Sequence, residues 1–380
     1  MNLEFTEEQK MIQQSARDYT QRELLKDILE RDEKCIFPAE HIKKLAELGF
    51  LGMLVSTKYG GSGMDTISYV LAIEEISKVD ASVGVIISVN NSLVAYELEE
   101  FGTEEQKQKY LVPLATGEKL GAFLLSEPEA GSDATSQHTK AIDMGDHYLM
   151  NGTKNWITNG GSADTYIVIA QTDASKGHKG INAFIVDRNS KGITIGPHEN
   201  KMGMRSSDTH SVMFNDVIVP KENRLGEDGW GFKIAMKTLE GGRIGIAAQA
   251  LGLASGALEL AVKYAKERKT FGTEIINHQG IAFKLADMAT EIEAARFLCL
   301  KAAWLKDNNK PYGTESAMAK LFAAETAMKV TTEAVQIHGG YGYVKEYHVE
   351  RLMRDAKLTQ IYEGTSEIQK IIIARALSGK

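Results

Sequence analysis

The sequence predicts an α+β fold in three parts: an N-terminal all-α domain over residues 1–120, a middle antiparallel β domain over 121–228 and a C-terminal α-helical bundle over 229–380. Three observations carry this reading. Apolar residues recur at helical spacing in the two outer parts, and short β-branched and aromatic runs fill the middle. Three of the six prolines, Pro128, Pro197 and Pro220, fall in that middle part. Proline interrupts helices from within, so a chain with so few can sustain long ones on either side.

The first part marks its own helix starts. Thr6 with Gln9 and Thr103 with Gln106 match the S/T-x-x-E/Q capping box. Pro38 opens a segment that closes at Gly49, and YGGSGMD (59–65) is a glycine-rich loop between helices. In the middle part, TYIVIAQT, GINAFIVD, GITIG and HSVMFNDVIV read as strands separated by Gly, Asn, Asp and Ser turns. Beyond residue 229, Ile281, Leu285, Met288, Ile292, Ala295, Cys299 and Ala302 follow a 4-3-4-3-4-3 spacing, an apolar seam for packing against another long helix.

Composition narrows the function. With 44 basic against 51 acidic residues the net charge is −7, which argues against nucleic acid as the main ligand. Only Cys35 and Cys299 occur, so there is no disulfide framework and no CxxC pair, as in a reducing compartment. The nine histidines show no metal-ligand spacing. No apolar run approaches the ~18 residues of a membrane span. The start, MNLEFTEEQKMIQQS, has neither a signal-peptide core nor transit-peptide character. The expected location is cytoplasmic for a bacterial chain, or the mitochondrial matrix if a leader has been removed. A GxGxxG turn opening a helix, a GxxxxGK[ST] loop, HExxH and GxSxG are all missing, which argues against Rossmann, P-loop, zinc-peptidase and α/β-hydrolase chemistry.

The remaining chemistry lies in glycine-rich stretches at element ends. In FLLSEPEAGSD (123–133) a strand runs into a turn, where Gly131 and Ser132 can bring N–H groups and a hydroxyl to a ligand; alone it reads equally as an ordinary turn. NGTKNWITNGG (151–161) reads as a hairpin turn with a strand carrying Trp156 and Thr158, suited to flank a planar heterocycle or to fill a core. TLEGGRIGIAAQALG (238–252) places Arg243 in a helix start softened by two glycines, and KERKTFGTEIINHQG (266–280) ends a helix in basic residues, by itself plain dipole compensation. In QIHGGYGYVKEY (336–347) the glycines let the backbone lie against a ligand. In QIYEGTSEIQ (360–369) Gly364 ends one helix, and Ser366 with Gln369 caps the next. Glu363 immediately precedes that turn.

LSEPEAGSD, WITNGG, GGRIGIAAQALG, QIHGGYGY and YEGTSEIQ, in this order, resemble the acyl-CoA dehydrogenase family, and most closely its short-chain, butyryl-CoA type, over residues 3–378. The resemblance implies a C-terminal four-helix bundle and a flavin enzyme that converts an acyl-CoA to its trans-2-enoyl product. It implies that Glu363 removes the α-proton and that the flavin accepts the β-hydride. The Glu363 N–H and a ribityl hydroxyl of FAD would polarise the thioester carbonyl. Some relatives carry the base directly before the arginine matching Arg243; here Gly242 stands there, with Glu240 three residues before the arginine.

By the same resemblance, FAD is held by Phe123, Leu124, Leu125, Ser126 and Ser132, by Trp156, Ile157 and Thr158 beside the ring, and by Thr365 and Glu367. Arg268, Phe271 and Gln279, with Gln336, Ile337, His338, Gly339 and Gly340, would reach the pyrophosphate and adenosine side of a neighbouring subunit's FAD. Ser132, Glu240, Gly241, Gly242, Arg243 and Gly364 would contact the acyl-CoA. A homotetramer built as a dimer of dimers, and electron transfer flavoprotein as acceptor, are the implied partners. Ser366, Glu267, Ser126 and Trp156 stand where the family often has Asn, Gln, Thr and Phe, departures that bear on chain length and cofactor tuning. An acyl-CoA oxidase, a flavin monooxygenase on the same scaffold, or a short branched-chain substrate are the alternatives.

Overall fold

The structure, a computed structural model, describes residues 4–379. Both capping boxes form. Thr6 Oγ1 accepts from the Gln9 N–H at 3.2 Å, and Gln9 Oε1 from the Thr6 N–H at 3.0 Å, opening the helix Glu7–Arg22. Thr103 and Gln106 repeat the arrangement. Asp65, at the end of the glycine-rich loop, caps Thr66–Val79 through the Ser68 N–H.

The middle part is a sheet of β1 (Gly121–Leu124), β2 (Lys140–Asp143), β3 (His147–Thr158), β4 (Thr165–Gln171), β5 (Ile181–Asp187), β6 (Ile193–Ile195), β7 (Thr209–Pro220) and β8 (Arg224–Leu225). Its order is β6-β7-β3-β2-β4-β5-β8, with β1 beside β4. Most neighbours are antiparallel, as expected, but β1 runs parallel to β4, and β2 touches β4 in the same sense, so the sheet is mixed. The long excursion from residue 125 through β2 and β3 supplies the crossover that a parallel neighbour needs. Asn151-Gly152 is not a turn: β3 runs straight through it with a bulge. Gly152 has φ +147°, and a Cβ there would stand 2.5 Å from Thr139 Oγ1.

β4 is buried along its whole length. Its side chains alternate, Ile167 and Ile169 entering the helical core and Tyr166, Val168 and Ala170 a second core enclosed by the sheet. One strand thereby fixes the β domain against the helices.

The helices Gly231–Glu267, Gln279–Asp307, Gly313–His338 and His348–Thr359 form the expected bundle, with Ser366–Leu377 lying on the third. Leu285, Met288, Ile292, Ala295, Cys299 and Ala302 of the seam are all buried. The 37-residue helix Gly231–Glu267 is central and also packs on Thr66–Val79. A Cβ at Gly252 or Gly256 would meet the Glu74 or Lys78 carbonyl oxygen at 2.4 Å, so these helices touch backbone to backbone. Contrary to the sequence expectation, Ala81–Phe101 and Gly231–Glu267 do have the length and mean hydropathy of membrane spans. Their apolar windows are 94% and 83% buried inside the protein, so that hydrophobicity is accounted for by the core.

Candidate active site

Glu363 lies in the turn between His348–Thr359 and Ser366–Leu377. It has φ 51° and Gly364 has φ 92°; two successive left-handed residues reverse the chain sharply. The residue as a whole is half-buried, but both carboxylate oxygens are shielded from solvent and have no hydrogen-bond partner. Burial pushes this carboxyl up to about 7, against the opposing pull of Lys320 and Arg243. The room it occupies is made by Gly242, where a Cβ would stand 2.2 Å from Glu363 Oε2 and 2.8 Å from Leu93 Cδ2. No hydrogen bond engages the Glu363 N–H among the described residues.

The turn is held from three sides. Lys320, fully buried, donates to the Gly364 carbonyl at 2.8 Å. Gln369 Nε2 donates to the same carbonyl at 2.8 Å and to that of Glu363 at 3.3 Å. The Tyr362 hydroxyl bonds Gln249, which in turn donates to the Ala81 carbonyl at 2.6 Å. The helix cap differs from the expected one. Thr365 Oγ1 accepts from the Ile368 N–H at 3.3 Å, which puts Gln369 one residue too late for a capping box and frees it to hold the turn. Ser366 Oγ instead donates to Glu325 at 2.7 Å. Gly364 likewise ends no helix, since His348–Thr359 stops earlier and leaves Glu363 in a turn outside either helix.

Arg243 is not at a helix start but well inside Gly231–Glu267, whose packing on both sides stabilises helix through Gly241 and Gly242. It is only 6% exposed, and its Nε has no partner. Burial lowers its pKa, opposed first by Glu240 and then by Glu363. A guanidinium placed so asks for an acceptor from a ligand. Glu240 accepts from Lys237 at 2.8 Å.

A second bulge in β3, between Lys154 and Ile157, leaves Trp156 at φ 62° and 61% exposed on a strand otherwise paired with β7. Thr158 pairs with Thr209 on β7. The end of β1 is tied to β3: Lys154 Nζ donates to the Leu125 carbonyl at 3.0 Å, and the Asn155 N–H to that of Ser126 at 2.9 Å. Phe123, Leu125 and Ser126 are half-buried and Ser132 is exposed, whereas Leu124 and Ile157 are core residues that can offer a ligand only backbone. Thr365 is committed to its cap, and Glu367 is exposed.

The other residues of the implied cofactor set gather elsewhere. Arg268, Ile337, His338, Gly339 and Gly340 line a cleft of about 640 Å³ with Tyr264 and His278. A Cβ at Gly339 or Gly340 would meet nothing within 4 Å, so bare backbone faces the opening. His338 stacks on Tyr264 at 4.3 Å. Phe271, in the hairpin turn between Lys269–Thr270 and Thr273–Glu274, is 99% exposed, and Gln279 and Gln336 are also exposed. Arg243, inside Gly231–Glu267, and Arg268, just past its end, stand about 38 Å apart along its axis, so one chain does not bring the two groups together.

Sequence reasoning missed Lys320, Gln249 and Leu93, and read Gln369 as a helix cap rather than as a hold on the turn. Lys320 carried a signal, as a charged residue between small apolar ones in SAMAKLFAA. Among the described residues no cluster of His, Cys, Asp and Glu could hold a metal ion.

Comparisons with known proteins agree along the whole chain. Models of the acyl-CoA dehydrogenase N-terminal, middle and C-terminal domains match residues 6–118, 122–217 and 229–378. A short-chain specific acyl-CoA dehydrogenase of Clostridium acetobutylicum is 54% identical over 98% of this chain and 99% of its own. The structure of butyryl-CoA dehydrogenase from Megasphaera elsdenii superposes with TM-score 0.98 at 52% identity, covering 100% of both chains. A chain in a solved structure of the electron transferring flavoprotein of Acidaminococcus fermentans does so with TM-score 0.98 at 53% identity, covering 99% of each. This chain belongs to the acyl-CoA dehydrogenase family.

Proposed function

We propose that this protein oxidises a short-chain acyl-CoA to the trans-2-enoyl-CoA, with Glu363 as the base and FAD as cofactor. The observation that carries this reading is the unpaired, water-shielded carboxylate of Glu363 in the notch at Gly242. A proton beside a thioester is weakly acidic, so its removal needs a carboxylate held close and with a raised affinity for protons. The free N–H of Glu363 suits the thioester oxygen, where negative charge develops as the proton leaves. FAD, when bound, supplies the two-electron acceptor for the β-hydrogen.

The exposed Trp156 and the tied end of β1 fit a flavin ring, with Thr158 beside it. The bare backbone at Gly339 and Gly340, with Arg268, fits the cofactor's phosphates and adenosine. Because Arg243 beside the base and Arg268 of the cleft stand about 38 Å apart along Gly231–Glu267, a neighbouring subunit would complete each site, which supports a homotetramer. Leu93, pressed against Gly242, narrows the space beside the base and suits a short acyl chain. The relatives' short-chain and butyryl-CoA names support the same substrate, and the electron transferring flavoprotein match supports that acceptor. In the test, anaerobic butyryl-CoA bleaches the oxidised flavin of the wild type, whereas Glu363→Gln binds FAD and fails to bleach. Undiminished bleaching by the variant removes Glu363 from the reaction.

A further inference from the structure

A smaller pocket, of about 280 Å³, lies where the N-terminal helices meet the β domain, lined among others by Cys35, Arg188, His198, Ser206, Asp208 and His210. The proposed dehydrogenation has no use for it. Cys35 ends the helix Ile28–Lys34 in a left-handed conformation, φ 53°, and is partly exposed. Arg205 Nη2 donates to its sulfur at 3.6 Å. Lys201 is close enough that Cys35 is the leading influence opposing the effect of burial on its amine.

The pocket also holds unanswered polar groups. Ser206 is 2% and Asp208 5% exposed, and Ser206 Oγ and Asp208 Oδ2 have no hydrogen-bond partner; Arg205, beside Cys35 but outside the pocket lining, likewise has no partner at Nε. His210 pairs with Asp208 Oδ1 and bonds the Gly196 carbonyl at 2.7 Å, leaving Oδ2 for something else. Buried groups without partners are costly, and a ligand that meets them recovers that cost.

We propose that Cys35 is a thiol-modification site whose pocket selects a small disulfide bearing carboxylates and an ammonium group. The Cys35 thiolate attacks one sulfur of that disulfide. A new S–S bond forms to Cys35 as the old one breaks, and the electron pair leaves with the released thiolate, which takes up the proton given by Cys35; no other oxidant enters. Arg188 and Arg205 face the carboxylates, and Asp208 Oδ2 and Ser206 Oγ the ammonium and amide groups. Cys299, buried without exposure in the bundle, serves as an internal reference.

The test incubates the full-length holoenzyme with glutathione disulfide and, separately, with the cationic disulfide cystamine, followed by intact-mass measurement and peptide mapping. The expected result is one adduct, on Cys35, reversed by a reducing agent and formed about tenfold faster with glutathione disulfide than with cystamine. Cys35→Ser takes up none, and Arg205→Met or Arg188→Met removes the preference. Arg188→Met carries the test if Arg205→Met does not fold. Absence of an adduct on the folded chain, modification of Cys299 instead, or equal rates for the two disulfides overturns the proposal.

Discussion

Glu363 places its carboxylate in the space that a side chain at Gly242 would fill: an added Cβ would stand 2.2 Å from Oε2 and 2.8 Å from Leu93 Cδ2. The two residues lie on different elements, a tight turn and the middle of the longest helix. What joins them is an absence, the missing side chain on the helix.

Gly242→Ala therefore displaces the carboxylate, because Leu93 closes the other side of the notch. An error of about 1 Å at a reacting group costs on the order of 10²-fold in rate. Alanine is otherwise favourable in a helix, so folding should change little. Steady-state turnover with butyryl-CoA, compared with the thermal midpoint, checks this; an unimpaired rate means the carboxylate does not work from this notch.

The raised pKa gives a signed pH dependence. Folding moves the Glu363 carboxyl from 4.5 up to about 7, so between these values the folded chain holds a proton that the unfolded chain releases. The stability this group contributes is complete below about pH 4.5 and is lost as pH rises to about 7. Catalysis by Glu363 as the proposed base runs the other way, since it must then be ionised, and kcat/KM should rise through about pH 7 to a plateau. Thermal midpoints of wild type and Glu363→Gln, measured from about pH 5 to about pH 8, should diverge, with wild type losing more. Parallel curves would count against the shift.

How much of this was legible in the sequence depends on the range of the interaction. Helix starts at Thr6 and Thr103, and the seam through Cys299, are set by neighbours within one or two turns, and the letters showed them. The parallel pairing of β1 with β4 was not visible, because it depends on where the chain goes between residues 125 and 164. Asn151-Gly152 misled for a related reason: the same left-handed tolerance serves a turn or a bulge, and Thr139, directly before the neighbouring strand β2, decides which. Arg243 looked like the edge of a helix because glycine is a poor helix former, but burial outweighed propensity. The motif letters singled out Glu363, whereas the bonds of Lys320 and Gln369 to its turn came into view only when their helices were placed beside it.

For the proposed base, Lys320 acts as a positioning residue, reaching the site through the Gly364 carbonyl rather than through any reacting atom. Its ammonium also opposes the upward shift of Glu363, more strongly than Arg243 does. Lys320→Met should therefore move the midpoint of the kcat/KM profile to higher pH as well as lowering the rate, while Lys320→Arg keeps much of the original profile. A loss of rate with an unmoved midpoint would leave Lys320 a structural role only.

Lys154 joins the cofactor side to the β-domain core. It is fully buried and donates to Glu127 at 2.8 Å, to Gln137 at 3.2 Å and to the Leu125 carbonyl at 3.0 Å. Glu127, 3% exposed, also accepts from the His138 and Thr139 N–H groups at 2.6 and 3.0 Å. Lys154 and these N–H donors hold its carboxyl below the ordinary value in spite of burial. Lys154→Met leaves that carboxylate buried without its cation, at a cost of about 3–5 kcal/mol. It also releases the Leu125 carbonyl, and with it the β1 end proposed to meet the flavin. Chemical denaturation should show the loss of stability, and flavin fluorescence should show FAD leaving the variant at lower denaturant than unfolding requires. Adding Glu127→Gln to Lys154→Met removes the stranded charge but not the lost tether, so stability should return in large part while FAD retention stays poor. Recovery of both together would show that the ion pair, and not the bond to Leu125, holds the cofactor side in place.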